Sequence, residues 1–383
     1  MLSEMKTRRA IYIQPKIQRF SGRDEAAMVE TLRNMDENTS LRSPADMSEF
    51  QLDRDGKTVK GGFRFTAPAF NQAAQMLAPG LSKLLPDLAG TATVSDDKDQ
   101  LVDSAAAIKF WNDIVDLRFP LFQRHRLIRN EKEKTIEGLV GHTHQYLENW
   151  ALYQEAATAL RQQGLHAEMY AATLVGRLFS VWFRVVEPLF VTAVAKERWG
   201  VYHGFYFTNG EATGTAVRGT NAVFTPKGVC LGNYRRYGKR VTHTGRDFPM
   251  RLMQAFSDVC QIEMPVETLQ KGVGRLAIRS LGFSASQSKT ARADRIKKIA
   301  ISLSGCGVIA RLANEVVELG LGAGRCYGGG DIEISRYINT PDASRTLLDL
   351  YVPLLGMARK VDTRQREKLE CAAFNILTNK FTL

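Results

Sequence analysis

The stretch FYFTNGEATGTAVRGTNAVFTPKGVCLGNYRRYGKRVTHTG (Phe205–Gly245) decides the fold. Its first half is dense in aromatic and β-branched residues, which suit a pleated, half-buried surface. Asn209-Gly210 sits between two such runs, and both residues tolerate the positive φ of a tight turn, so a hairpin is expected there. The second half changes character. Asn233–Arg246 (NYRRYGKRVTHTGR) interleaves Arg235, Arg236, Lys239, Arg240 and Arg246 with Tyr234 and Tyr237. Cations neutralise phosphates and tyrosines can stack on unpaired bases, a pairing that suits a single strand.

Working outward, strands precede this stretch. FQLDRDGKTV (Phe50–Val59) places Asp55-Gly56 between two short runs, a hairpin signal. Thr66 before Pro68 reads as a helix start, and Ile108, Trp111, Ile114 and Val115 recur at helical spacing. HRLIR (His125–Arg129) reads as a strand, and Asn130 with Glu133 as a capping-box-like helix start. A helix spans about 150–163 and stops at Gly164. Glu168–Val186 reads as two strands around a turn at Gly176, with one long helix as the alternative. Residues 86–104 are polar and acidic, as a surface loop would be.

Downstream of Pro249 the pattern turns helical, with candidates at 250–262, 292–303, 308–319, 347–355 and 363–379. The expected class is therefore α+β: a mixed, mainly antiparallel sheet with packed helices, followed by a helical C-terminal region. The divisions expected are an N-terminal arm (1–45), an α+β core (46–250) and the helical region (251–383).

The 383 residues carry 52 Lys and Arg against 40 Asp and Glu, a formal charge of +12. An excess of that size favours a polyanion partner, because neutralised phosphates release their counterions. A second basic run, SQSKTARADRIKKIA (Ser286–Ala300), adds Lys297 and Lys298 near a helix start. Cys230, Cys260, Cys306, Cys326 and Cys371 are odd in number and scattered without Cys-x-x-Cys spacing, which argues against a zinc ribbon and for buried thiols in a reducing cytoplasm. No signal-peptide or membrane-spanning segment is apparent, so a cytoplasmic protein is expected.

Other chemistry has weaker support. His142 and His144 would share one face of a strand, and with Glu211 and His243 they form the one candidate metal set. Cys230 with His243 would make a nucleophile and base, yet no cysteine-hydrolase signature surrounds Cys230, and a structural thiol is the better reading. Gly320–Asp331 (GLGAGRCYGGGD) lacks the Lys-Ser/Thr of a P-loop and reads as a loop between helices.

Arg126–Asn149 (RLIRNEKEKTIEGLVGHTHQYLEN), with FYFTNGEATG, VCLGN and HTG, resembles the Asn-Ser-Glu-x-Gly, Cys-x-Asn-Gly and His-x-Gly motifs of the phage/plasmid-like family of uncharacterised proteins. The resemblance covers about residues 45–250. Gly210 stands where that family has Ser, and Gly232-Asn233 reverses its Asn-Gly order. What the resemblance implies is a mobile-element context, not a mechanism.

The leading expectation is a non-catalytic, cofactor-free nucleic-acid-binding protein of a phage or plasmid. It would bind single-stranded DNA in recombination or annealing, as a homo-oligomer, through Tyr234, Arg235, Arg236, Tyr237, Lys239, Arg240, Arg246, Lys297 and Lys298. A metal-dependent nuclease or nucleotide-modifying enzyme, and a phage protein that binds a host factor, are the alternatives.

Overall fold

The computed structural model describes residues 13, 15–54, 58–78, 104–210, 215–284, 286–321 and 345–381. Among them, seven strands form one antiparallel sheet: β1 (Ile17–Ser21), β6 (Ala167–Val175), β7 (Leu178–Val194), β8 (Glu197–Gly210), β9 (Thr215–Thr225), then β10 (Gly228–Leu231) and β11 (Gly238–Val241), which share the outer edge of β9. A smaller sheet runs in the order β2 (Thr39–Arg42), β4 (His125–Asn130), β5 (Thr135–Gly141) and β3 (Arg64–Phe65), with β3 parallel to β5.

The period-two alternation of β7 and β8 explains the layering. Phe179, Val181, Phe183, Phe205 and Phe207 point to one face and pack on α1 (Glu25–Glu37), α4 (Asn149–Gln162) and α6 (Phe248–Gln261) through Leu32, Leu152, Leu252 and Phe256. Trp182 and Tyr206 point to the other, beneath α11 (Thr363–Leu377). The small sheet packs on α2 (Ala67–Leu77) and α3 (Ser104–Phe122) around Phe50, Phe65, Phe70 and Trp111. Each such ring, fully buried, contributes about 1.5–3 kcal/mol.

The α+β class and the helical C-terminal region are as the sequence predicts. That region comprises α7 (Val266–Arg275), α8 (Lys289–Gly305), α9 (Ala310–Leu321), α10 (Leu348–Ala358) and α11. It packs directly on the sheet, since Trp199, Val201, Val223 and Tyr237 share one core with Leu269, Ile299, Tyr351 and Phe374. The turn at Gly176 is present between β6 and β7.

Three local expectations fail for physical reasons. Residues 17–42 are no separate arm: β1 pairs β6, β2 pairs β4, and α1 buries Met28 and Leu32. Asn130 does cap, accepting from the amides of Lys132 and Glu133 at 3.1 and 2.9 Å, but it caps the turn of a β4–β5 hairpin where a helix was expected. β8 and β9 pair as expected, yet Asn209 is a buried strand residue opposite Phe179, and Gly210 pairs with Thr215, so Asn209-Gly210 is strand and not the turn; residues 211–214 lie outside the described ones. Asp55-Gly56, residues 86–103 and Gly322–Asp331 also lie outside them, although the Leu52–Val59 pairing supports the first hairpin.

One buried cation ties the two sheets together. Arg177 follows the β6–β7 turn and is 3% exposed. Its guanidinium pairs with Glu137 of β5 and donates to the Thr39 hydroxyl of β2 at 2.6 Å. Asn209 Nδ2 donates to the Leu147 carbonyl at 2.8 Å and to Asn149 Oδ1 at 3.0 Å, fixing the same junction from β8. Removing one member of a buried ion pair strands its partner. Arg177→Ala is therefore expected to lower the unfolding free energy by about 3–5 kcal/mol in urea denaturation. A loss below about 1 kcal/mol would mean that the pair is not what joins the sheets.

Candidate nucleic-acid interface

The basic-aromatic run lies on the outer edge of β9. β10 pairs Gly228–Leu231 with Thr225–Ala222, and β11 pairs Gly238–Val241 with Thr220–Val217, so the two are one edge strand interrupted at 232–237. The interruption is a single helical turn, α5 (Tyr234–Tyr237), capped by Asn233, whose side chain accepts from the Arg235 amide at 2.9 Å.

Breaking a strand in this way leaves carbonyls off the ladder, and buried orphans cost about 1–3 kcal/mol each. Side chains of β9 take them up. The Thr220 hydroxyl lies 3.0 Å from the carbonyls of both Gly232 and Tyr237, and Asn221 Nδ2 donates to Tyr237 O at 3.2 Å and Val259 O at 3.0 Å. A Cβ at residue 232 would stand 2.7 Å from that of Tyr237, so the close turn requires glycine there. Tyr237 fills the space behind the turn, 4% exposed and edge-on to Phe374 at 5.2 Å.

With Tyr237 turned in, Arg235 and Arg236 are turned out and exposed. On β11 the alternation sends Lys239 toward α6, where it pairs with Asp258 at 3.1 Å, and Arg240 toward the opposite face, across from Arg218. Like charges so placed repel. Arg218 is neutralised by Glu367 at 3.4 Å, itself 9% exposed and accepting from the Tyr206 hydroxyl at 2.6 Å. Burial raises the Glu367 carboxyl above its usual range, against the Tyr206 hydrogen bond and the Arg218 charge. Among the described residues, Arg235, Arg236, Arg240 and Arg246 have no carboxylate partner; Arg236 has the Tyr237 ring at 5.5 Å.

The sequence-predicted set is therefore divided. Arg235, Arg236, Arg240 and Arg246 gather on and beside one edge, and Lys239 joins them with its charge offset by Asp258. Tyr237 is corrected to a core anchor with no face to offer a base. Tyr234 is also directed inward: its hydroxyl is buried without a hydrogen bond among the described residues, and Arg218 lies over its ring at 5.6 Å. Lys297 and Lys298 are exposed on α8, and no described hydrogen bond or ion pair links them to this edge. Sequence reading missed Arg218, which pairing of β9 with β11 would have revealed, and Lys380, whose Nζ lies 5.6 Å from the Tyr237 ring. No local pattern marks Lys380.

The histidine set does not assemble. His142 is exposed, with Nε2 3.0 Å from the Gln123 carbonyl. His144 and His243 do meet, but as stacked rings 4.6 Å apart and inclined by 20°, a geometry that keeps ring-plane lone pairs from converging on one ion. Glu211 lies outside the described residues. Among those described, no three His, Cys, Asp or Glu side chains are grouped as a metal requires. Cys230 is buried 3.0 Å from the Tyr351 hydroxyl, not beside His243, and burial pushes its thiol far up, away from the reactive thiolate.

No described helix is long and apolar enough to cross a membrane. Comparison with protein-family models, curated proteins and solved structures found no match to the chain, so the reading of this edge rests on its own geometry.

Burial holds the His243 imidazole below its usual pKa, opposed by the hydrogen bond of Nδ1 to the Gln145 carbonyl at 2.9 Å. The unfolded chain then binds the proton first as pH falls, so this group subtracts stability below about pH 6.5 and nothing above it. An NMR titration of the His243 ring should show a midpoint below 6.5, the ordinary value. A midpoint above it would place a negative group beside the ring that this packing does not contain.

Proposed function

We propose that the protein binds single-stranded DNA along the edge formed by α5 and β11, as a non-catalytic protein of phage or plasmid recombination or annealing. The observation that carries this reading is the set of exposed arginines Arg235, Arg236 and Arg240 on the anchored α5–β11 segment, with Arg246 in the loop that follows it, all without carboxylate partners among the described residues. The backbone that presents these arginines is already folded, so meeting phosphates costs little beyond ordering the side chains themselves. The net charge of +12 supports the same partner through long-range attraction. The motif resemblance in 126–149 and 205–245 supports the mobile-element setting. Among the described residues β1 and β11 each pair one neighbour and carry exposed positions, which is compatible with side-by-side assembly on a strand, whereas β10 is buried throughout.

Binding to a fluorescent oligo(dT) should weaken steeply with salt, and each phosphate contact should contribute about 0.7 to the slope of log K against log salt. Replacing Arg235, Arg236 and Arg240 together by Gln should reduce that slope by about 2, at three contacts of about 0.7 each, and weaken binding at low salt. Weak binding that ignores salt, or a triple variant with an unchanged slope, would sink the proposal.

A further inference from the structure

On the sheet face that α11 crosses, the corner far from Arg240 is paved with rings. Tyr170 sits at the β-bulge between Met169 and Ala171 on β6, Tyr202 on β8 and Phe224 opposite it on β9. Two glycines of β8 let these rings lie down on the sheet. A Cβ at Gly204 would stand 2.3 Å from the Phe224 ring, and one at Gly200 3.0 Å from the ring of Tyr202. Phe224 is covered in turn by the edge of Tyr170, with centroids 4.8 Å apart at 68°, and Tyr170 is left 37% exposed.

Arg184 stands in the middle of this pavement. Its guanidinium carbon is 5.7 Å from the Tyr170 centroid and 5.1 Å from that of Tyr202. Among the described residues it makes no hydrogen bond and no ion pair, so rings are its only partners. Shielding of strand glycines by aromatic rings accounts for Phe224, which is buried. It does not account for an exposed Tyr170 or for an arginine whose donors are all unused. Beside them opens a cleft of about 850 Å3 bordered by Arg23, Glu25, Glu168, Tyr170 and Arg184, with Glu25 already accepting from the Tyr153 hydroxyl. That is within the range of clefts that hold small ligands. Arg23 is exposed at its rim, whereas Glu168 lies directly opposite Arg184.

We infer that this corner is a second contact for single-stranded DNA, in which an unpaired base stacks on Tyr170 beside the Arg184 guanidinium. The proposal rests on the single-strand reading above. The carboxylate of Glu168 repels phosphate and accepts from a base N–H, such as thymine N3–H, so the base enters and the backbone stays beside Arg23. The chain thus carries the phosphate-binding edge and the base-stacking surface in different places, which the burial of Tyr234 and Tyr237 makes necessary.

Photocrosslinking of the full chain to an oligo(dT) substituted with 5-iododeoxyuridine, followed by peptide mapping, tests the assignment together with two variants. Crosslinks at Tyr170 or Tyr202 are expected. Tyr170→Leu, which keeps an apolar contact on Phe224, should weaken oligo(dT) binding by about 5- to 150-fold, the cost of one lost stacked base. Tyr170→Phe should leave binding unchanged. Tight binding with crosslinks confined to Asn233–Arg246 and no effect of Tyr170→Leu would overturn the platform while the edge reading stands. Absence of oligo(dT) binding by the unmodified chain would overturn both.

Discussion

Tyr237 is the plug on which the basic edge depends. A strand that carries consecutive arginines cannot display them in one direction, because successive side chains alternate faces. The single helical turn at 234–237 escapes that rule, turning Arg235 and Arg236 outward together. Such a break is stable only if its freed carbonyls are satisfied and its inner side is filled. Thr220 and Asn221 supply the first condition, and Tyr237 against Phe374 the second. Since Phe374 belongs to α11, the same contact fastens the C-terminal helices to the sheet edge.

The rest of the architecture removes surface from use. Helices α1, α4 and α6 cover one face of the large sheet, and α11 crosses the other through Arg366 over Trp182 and Glu367 against Tyr206. Among the described residues, the α5–β11 segment and the corner around Tyr170 stay exposed. Charge follows the same division. Arg177, Arg218 and Arg366 are partly or wholly buried and paired with Glu137, Glu367 and Glu370. Buried charges of this kind must be paired to be tolerated. Arg184, Arg235, Arg236 and Arg240, at exposed places, form no ion pair among the described residues, although Glu168 stands across the strands from Arg184.

Much of this was legible in the sequence because it rests on local chemistry. The β6–β7 turn at Gly176, the strand His125–Asn130 and the C-terminal helices follow from turn residues and periodicity. So did the basic run, since five cations in Asn233–Arg246 need no tertiary structure to be noticed. What failed depends on packing between distant elements. Asn209 looks like a turn residue, yet Leu147 and Asn149 claim its amide within the strand. Asn130 caps as its type suggests, but the following Thr135–Gly141 pairs in a sheet and overrides helix. Tyr234 and Tyr237 look like stacking residues; only the break in the strand, set by Thr220 and Asn221 on another strand, turns them inward. The Tyr170, Arg184 and Tyr202 grouping comes from three strands and has no linear signature.

Hydrogen–deuterium exchange with and without oligo(dT) bears most directly on whether the interrupted edge strand is the DNA contact. Bound DNA should slow exchange across Asn233–Arg246, where β11 leaves its outer amides unpaired in the sheet. Slowed exchange confined to other segments, such as the helix at Lys289–Gly305, with 233–246 unchanged would contradict it.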